Sequence, residues 1–324
     1  MNIWEGAGRR IRLQEVGTRD GLQAETVFVP TEAKIALIDE LSLTGLCKIE
    51  VTSFTSPKAI PALRDADEVM RGIRRHPGVV YSALVPNVRG AERAIQASTD
   101  ELNLVMSVSE SHNLTNLRMT PAQSFAALGE VAAMARSAGT AVNISLSCAF
   151  GCPMEGDVPA DGVLAWCARF IGELGVDHVT LCDTTGMAYP GQVAALSRAF
   201  RQRWPAAELT LHLHNTRGLG LANALAGIDA GADRLDASLG GIGGCPYAPG
   251  ATGNVCTEEV AHALELMGFQ TGIDLPRLIA AARRLPGLLG HEVPSQIVKA
   301  GRRLDLHPVP ADFEAIRQRA LAKA

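Results

Sequence analysis

Several features that define large classes of protein are missing from this sequence. Its 324 residues include no apolar run of about 18 residues, the length that crosses a bilayer. A formal net charge of -4 supplies no broad positive field for the phosphates of nucleic acid. The first residues lack the apolar stretch, roughly 7–15 residues long, of a secretory signal. We therefore expect a cytoplasmic protein, with neither a membrane nor a nucleic acid as its partner.

Motifs for a disulfide framework, a zinc ribbon or a nucleotide loop are missing too. Seven cysteines, an odd number in a long chain without an export signal, favour reduced thiols. Cys148 and Cys152 have CxxxC spacing, but no second pair follows at zinc-ribbon spacing, so we interpret both as structural. Neither GxGxxG nor GxxxxGK followed by Ser or Thr occurs, so no nucleotide-binding loop is predicted.

What the sequence does contain is a regular alternation of strand-like and helix-like segments. Eight β-rich runs are predicted as strands, at residues 12–16, 46–51, 79–85, 102–108, 142–146, 178–182, 209–214 and 234–237. Helical patterns connect them, as at 31–43, 120–138, 190–204 and 218–230. Alternating strands and helices favour parallel βα units, and eight such units close into a barrel. The sequence therefore predicts an α/β fold, a (β/α)8 TIM barrel.

The C-terminal part of the chain follows a different pattern. From Glu258 onward the sequence indicates helices only, with a Pro/Gly-rich break at 285–294 and a charged helix at 311–324. We expect residues 1–284 to form the barrel, including a glycine-rich lid at 240–254. We expect residues 285–324 to form a helical extension packed on it.

Polar side chains concentrate near one end of the predicted barrel. In such barrels, the residues that carry function lie at the carboxyl ends of the strands and in the loops that follow. Six polar residues fall at these positions: Arg19, Asp20, Glu50, Asp183, His212 and His214. The sequence therefore predicts one functional mouth to which several strands contribute.

His212 and His214 give the sharpest local signal, because residues two apart on a strand point to the same side. Both imidazoles could face one ion, with Asp20 as a third ligand and Asn254 supplying an amide oxygen. Nitrogen and oxygen ligands without a thiolate favour Mg²⁺ or Mn²⁺ at an open site. Alternatively, both histidines are hydrogen-bonded core or surface residues, and the spacing alone leaves the two interpretations open.

The Arg19–Asp20 pair has its own alternatives. Gly17 and Gly21 bracket the pair, which suits a tight backbone that directs both side chains inward. Glu50 ends an apolar run, and a carboxylate in a buried strand needs a partner, for which Arg19 is the obvious candidate. An ordinary surface turn and a purely structural ion pair with Glu50 remain open.

The segment 240–254 is rich in glycine and carries a single thiol, Cys245. A cysteine in a mobile lid can donate or accept a proton, and nearby charge tunes its pKa. The pattern favours this function over the alternative, a flexible surface loop with an incidental cysteine.

With these residues identified, the sequence resembles the 3-hydroxy-3-methylglutaryl-CoA lyases, metal-dependent enzymes built on this barrel. The resemblance spans roughly residues 15 to 260. The matching stretches are EVGTRDGLQ, IEVTSFTSPKAIPAL, SCAFGCPMEGDV, LCDTTGMAYPG, HLHNTRGLGLANALAG and GGIGGCPYAPGATGNVCTEE. The cysteine-bearing loop and SFTSPK are specific to the lyases, whereas the RDG and HxH motifs are shared with condensing relatives.

The resemblance implies cleavage of an acyl-CoA thioester by a homo-oligomer, a dimer or a tetramer. It implies four ligands for a divalent metal: Asp20, His212, His214 and Asn254. It implies five catalytic residues: Arg19, Cys245, Glu50, Asp183 and Gln23. In this scheme the arginine stabilises an enolate, the cysteine transfers a proton to the product carbanion, and the other three support the mouth.

Three other functions compete with this one. The chain could cleave a related thioester such as citramalyl-CoA, or it could be a condensing synthase of the same barrel family. Synthases often carry a regulatory domain after the barrel, where this chain has only short helices. The third possible function is that of a binding or scaffold protein that retains the barrel. Four intact residues argue against it: Arg19, Asp20, His212 and His214.

Overall fold

The computed structural model describes residues 3, 8–244 and 253–323, in which eight parallel strands close into a barrel. The strands are β1 (Arg12–Glu15), β2 (Lys48–Ser53), β3 (Val80–Leu84), β4 (Glu101–Ser107), β5 (Ala141–Ser147), β6 (His178–Asp183), β7 (Glu208–Leu213) and β8 (Arg234–Ala237). Each strand pairs with the next, and β8 pairs with β1 in parallel. The predicted (β/α)8 TIM barrel is confirmed, with strand boundaries shifted by at most two residues.

Helices connect the strands and continue past the last one. They are α1 (Thr31–Leu41), α2 (Ala66–Gly72), α3 (Val88–Gln96), α4 (Glu110–Leu117), α5 (Pro121–Ala138), α6 (Ala160–Leu174), α7 (Pro190–Arg203), α8 (Gly220–Asp229), α9 (Thr257–Leu266), α10 (Leu275–Ala282), α11 (Leu285–Leu289), α12 (Gln296–Ala300) and α13 (Phe313–Leu321). The boundaries of α5 have clear local causes: Thr120 and Gln123 form a capping box, and Gly139 ends the helix at φ 69°. No helix in the described ranges is long and apolar enough to span a membrane.

Each strand carries an apolar and a polar set of side chains, because alternate residues point to opposite faces of the sheet. In β2, Ile49 and Val51 are buried apolar residues that belong to the hydrophobic core. Lys48 and Glu50 alternate with them and line a cavity inside the barrel. The apolar layer therefore packs against the helices, while the barrel interior is polar.

Polar side chains of different strands form hydrogen bonds with one another inside the barrel. Asn103 donates from Nδ2 to Oε1 of Glu50 at 2.6 Å, and Asn143 donates to Oδ1 of Asn103 at 2.8 Å. The hydroxyl of Thr180 donates to Oδ1 of Asn143 at 3.1 Å. An unpaired buried polar group costs about 1–3 kcal/mol, so the polar interior is stable only because its groups are bonded.

An ion-pair network lies at the amino-terminal end of the barrel, opposite the mouth. Nζ of Lys48 lies 2.5 Å from Oε1 of Glu101, and both side chains are buried. Nδ1 of His178 lies 3.0 Å from the other Glu101 oxygen, and its Nε2 lies 3.5 Å from Oε2 of Glu208. The hydrogen bond to Glu101 is the main cause that raises the pKa of His178 above 6.5.

The C-terminal region departs from the prediction at the expected break. The segment 285–294 was predicted as a break, but it contains α11, which buries Leu285 and Leu289 in the core. Helix α12 is partly buried through Ile297 and Val298, which pack against the core. None of residues 302–323 is buried, and they include all of α13. Among the described residues, burial in the extension therefore ends at Gly301.

We predict that replacing His178 with Asn flattens the dependence of stability on pH. A histidine whose pKa is raised by folding stabilises the fold fully below pH 6.5. That contribution disappears as the pH rises through the folded-state pKa. At pH 6 the free energy of unfolding of the variant should be about 1 kcal/mol below that of the wild type, which corresponds to about 2 °C in melting temperature. The difference should be smaller at pH 8.5.

The measurement is thermal unfolding from pH 5.5 to 8.5. His307→Asn, at an exposed position, serves as the control and should follow the wild-type profile. Parallel profiles for wild type and His178→Asn would contradict the assignment.

Candidate metal centre

Asp20 lies in a tight turn at the carboxyl end of β1. The turn, Gly17–Gly21, is a single turn of π-helix in which Arg19 is buried. Close packing requires its last glycine, because a Cβ on Gly21 would lie 2.5 Å from Cγ1 of Ile242. The tight backbone predicted from the flanking glycines is present, and the alternative of a surface turn is not observed.

His212 and His214 bring two ring nitrogens to the same point from the end of β7. Their Nε2 atoms lie 3.2 Å apart, and both residues are buried. Oδ2 of Asp20 lies 3.8 Å from Nε2 of His212 and 4.0 Å from Nε2 of His214. The structure thus assembles three predicted ligands, with one donor atom of each within 4.8 Å of the others.

Asn254 joins this group from the segment after β8. A bridge pairs its backbone with that of His214, and its Nδ2 donates to Oδ2 of Asp20 at 2.8 Å. The same nitrogen donates to the carbonyl of Ile242 at 3.2 Å. Oδ1 of Asn254 is buried and has no hydrogen-bond partner among the described residues.

The residues that meet here fit a divalent metal ion. Two neutral imidazoles whose Nε2 lone pairs face each other at 3.2 Å repel unless a proton or a cation lies near them. The buried amide oxygen of Asn254 is likewise an acceptor that lacks a donor. A cation would satisfy both imidazoles and the Asp20 carboxylate together.

The charge of Asp20 is strongly stabilised in this environment. Burial raises the pKa of its carboxyl, but Arg19 and the two histidines outweigh burial and hold it well below the ordinary value. Burial, followed by the charge of His212, lowers the pKa of His214 to about 4. The site therefore presents a carboxylate and a neutral imidazole, which are the forms that bind metals.

Sequence reasoning missed one residue of this site, Asp236 in β8. Its Oδ2 lies 3.3 Å from Nδ1 of His212, on the side of the ring away from His214. A carboxylate at Nδ1 fixes the histidine tautomer and leaves Nε2 as the ligand atom. The available signal was an aspartate between Leu235 and Ala237 in the predicted eighth strand.

The guanidinium of Arg19 is held rigidly beside Asp20. Its Nε donates to Oε2 of Glu50 at 2.6 Å, and its Nη1 donates to Oδ1 of Asp20 at 2.6 Å. Burial raises the pKa of Glu50, although Arg19 and Asn103 lower it. The ion pair considered from the sequence is thus present, and it fixes a cation next to the predicted ligands.

The other predicted residues have different surroundings. Asp183 ends β6, and its Oδ1 accepts from the N–H groups of Met187 and Ala188 at 2.7 and 3.1 Å. Burial raises its pKa to about 6. Gln23 is partly buried just after the turn that carries Asp20. Cys245 lies outside the described residues, as do most residues of the predicted lid.

Comparison with known proteins gives close relatives over almost the whole chain. A hydroxymethylglutaryl-CoA lyase of Bacillus subtilis is 43% identical over 89% of this chain and 96% of its own. The mitochondrial hydroxymethylglutaryl-CoA lyase of Homo sapiens is 38% identical over 91% of each chain. A solved HMG-CoA lyase from Acinetobacter baumannii, in complex with coenzyme A and 3-methylmalate, has a TM-score of 0.90 and 51% identity. That alignment covers 93% of this chain and 98% of the other.

A family model gives the same result. The HMGL-like model matches residues 10–285, which contain the barrel and all of the described residues that meet at its mouth. The resemblance seen in the sequence is confirmed: this chain belongs to the HMGL-like family.

Proposed function

We propose that this chain cleaves 3-hydroxy-3-methylglutaryl-CoA into acetyl-CoA and acetoacetate. The observation that carries the proposal is the cluster of Asp20, His212 and His214 beside the buried guanidinium of Arg19. The relatives that align with most of this chain are named for this activity, as hydroxymethylglutaryl-CoA lyases. The thioester substrate is therefore an acyl-CoA that carries a tertiary hydroxyl group.

The reaction breaks the bond between C2 and C3 of the acyl group. The C3 hydroxyl loses its proton, and the electron pair of the breaking bond passes to the thioester as an enolate. C3 becomes the ketone of acetoacetate, while C2 gains a proton and becomes the methyl group of acetyl-CoA. Catalysis needs a proton acceptor at the hydroxyl, a cation at the thioester oxygen and a proton donor at C2.

Four residues would hold a divalent metal ion: Asp20, His212, His214 and Asn254. Mg²⁺ or Mn²⁺ suits them, because the ligands are nitrogen and oxygen atoms without a thiolate. A bound divalent ion supplies positive charge that lowers the pKa of the substrate hydroxyl. A base must accept the hydroxyl proton, and we propose His212 or Asp20 for this role.

Arg19 provides the cation for the enolate. Burial alone would lower the pKa of its guanidinium, but Glu50 and Asp20 raise it above the ordinary value, so the charge is permanent. Glu50 also fixes the orientation of the guanidinium through Nε. Negative charge develops on the thioester oxygen only as the bond breaks, so this attraction is stronger in the transition state than in the ground state.

Asp183, Gln23 and Cys245 complete the proposed set. Asp183 holds the backbone of residues 187–188 and so shapes the loop after β6. We assign Gln23, next to the turn of Asp20, a supporting role at the mouth. Cys245 would donate the proton to C2 from the glycine-rich loop that follows β8.

Adding Mn²⁺ should raise the melting temperature of the wild type. At 100 times its dissociation constant, a ligand that binds only the folded state stabilises it by about 2.7 kcal/mol. Asp20→Asn and His214→Asn should lose most of this shift, whereas His178→Asn, at the opposite end of the barrel, should keep it. An equal Mn²⁺ shift in wild type and Asp20→Asn would remove Asp20 from the ligand set.

Wild type should release acetyl-CoA from 3-hydroxy-3-methylglutaryl-CoA, and a chelator should abolish the release. Arg19→Gln should lower kcat by about 10²- to 10³-fold, the usual effect of removing one donor to a developing oxyanion. Arg93→Gln, which removes a partly buried arginine of α3 paired with Asp67 of α2, should not change kcat. Full turnover by Arg19→Gln would exclude the enolate role.

Assays with citramalyl-CoA and longer branched thioesters define the acyl group.

Cys245→Ala should lower kcat by about 10²- to 10⁴-fold, the range for a lost general acid, while leaving the Mn²⁺ shift intact. The matched control is Cys47→Ala, because this thiol donates to the carbonyl of Leu13 near the amino-terminal end of the barrel. Equal kcat values for Cys245→Ala and Cys47→Ala would mean that another group protonates C2.

A further inference from the structure

Two buried carboxyl groups outside the proposed site lie at the base of its loops. Glu15 is the last residue of β1, and Glu258 lies in the first turn of α9. Both side chains are fully buried. A buried carboxyl group needs several hydrogen-bond donors, and the donors here belong to the segments that carry the proposed metal ligands.

Glu15 joins two loops of the barrel mouth through one oxygen atom. Its Oε1 accepts from the N–H of Gly17 at 2.7 Å and from the N–H of Leu239 at 2.8 Å. Gly17 begins the turn that carries Asp20, and Leu239 begins the 3-10 turn Leu239–Gly241. Its Oε2 accepts from the hydroxyl of Thr257 at 2.7 Å. A single carboxyl group therefore bonds to the backbones after β1 and β8.

The two loops also pack directly on each other above this carboxyl group. A Cβ on Gly243 would lie 2.7 Å from Nδ2 of Asn254 and 3.3 Å from the backbone oxygen of Asp20. Because Asn254 donates to the carbonyl of Ile242, its side chain follows the position of residues 242–243. A shift of one loop relative to the other would change the separation of Asp20 and Asn254.

Glu258 supplies a second anchor for the same segment. Both of its carboxyl oxygens lie 3.1 Å from the backbone N of Gly240, which donates to them. Gly240 has a φ of 68°, so the backbone adopts a left-handed conformation between the two anchored N–H groups. Adjacent N–H groups, at Leu239 and Gly240, are therefore each bound by a different buried carboxyl group.

We propose that Glu15 is a positioning residue that sets the separation of Asp20 and Asn254 by binding the backbones of both loops, with Glu258 as the second anchor. The inference rests on the proposed metal centre and deepens it. Because both carboxyl groups are fully buried, we assign them a positioning role and not a catalytic one. Without the Glu15 acceptor, two buried N–H groups would be unpaired, and the loops would shift to satisfy them.

The anchor works in both protonation states of Glu15. Burial raises the pKa of this carboxyl group to about 8, while its three donors lower it and the charge of Glu258 raises it. A protonated Oε2 can donate to the hydroxyl of Thr257, and Oε1 then still accepts from both N–H groups. Glutamine has the same shape and can make the same set of bonds, so it is the conservative replacement.

The test measures Mn²⁺ affinity and kcat/KM in full-length variants. Glu15→Met removes both acceptors at nearly constant length, and it should weaken Mn²⁺ binding by about 10- to 100-fold, the usual effect of losing a group that supports a ligand. Its kcat/KM should fall as well. Glu15→Gln should restore both values close to wild type, which a simple requirement for the charge would not allow.

Glu101→Met serves as the matched control, because it removes a buried carboxylate bonded to Lys48 and His178 at the other end of the barrel. It should lower the melting temperature without changing Mn²⁺ affinity. If Glu15→Met does not fold, Glu15→Asp is measured instead, since its shorter side chain cannot reach both N–H groups. Wild-type Mn²⁺ affinity in whichever of these two variants folds would overturn the proposal while leaving the proposed function intact. Absence of Mn²⁺ binding by the wild type would overturn both.

Discussion

The carboxylate of Asp20 is the group on which the arrangement of the mouth depends. One oxygen accepts from the guanidinium of Arg19 at 2.6 Å, and the other faces His212 and His214 at 3.8 and 4.0 Å. A single side chain thus connects the permanent cation to the metal-binding histidines that we propose. Because Arg19 also bonds to Glu50, the position of Asp20 is fixed from β2 as well as from its own turn.

Hydrogen bonds in the polar interior of the barrel stabilise this arrangement. The chain of bonds from Glu50 through Asn103 and Asn143 crosses three strands, β2, β4 and β5. These bonds replace the apolar layers that usually fill such a barrel. The polar interior has a consequence for the site, since the carboxyl group of Glu50 would carry a large desolvation cost beside Arg19 if the interior supplied no hydrogen-bond partner.

The loops at the mouth depend on anchors that are remote from the chemistry. Glu15 and Glu258 accept hydrogen bonds from backbone N–H groups, so they fix main-chain positions. Asp236 acts on a side chain instead, by contacting the ring nitrogen of His212 that faces away from the site. Groups of both kinds can align the ligand atoms that we propose, and ligand alignment governs metal affinity.

The sequence by itself determined the eight strands and the barrel, since strand periodicity is a local property. The HxH spacing is local too, but it left a metal site and a pair of hydrogen-bonded histidines as alternatives. Asp20 could be paired with His212 and His214 because parallel strands bring all their carboxyl ends to one face. Only the tertiary structure decided that Asp236 contacts His212 and that Glu15 binds Leu239, because these partners lie 24 and 224 residues apart in the chain. Several carboxylates lie in buried strands, and which of them contacts a given partner depends on which backbones lie close together. The closure of β8 onto β1 brings these backbones together.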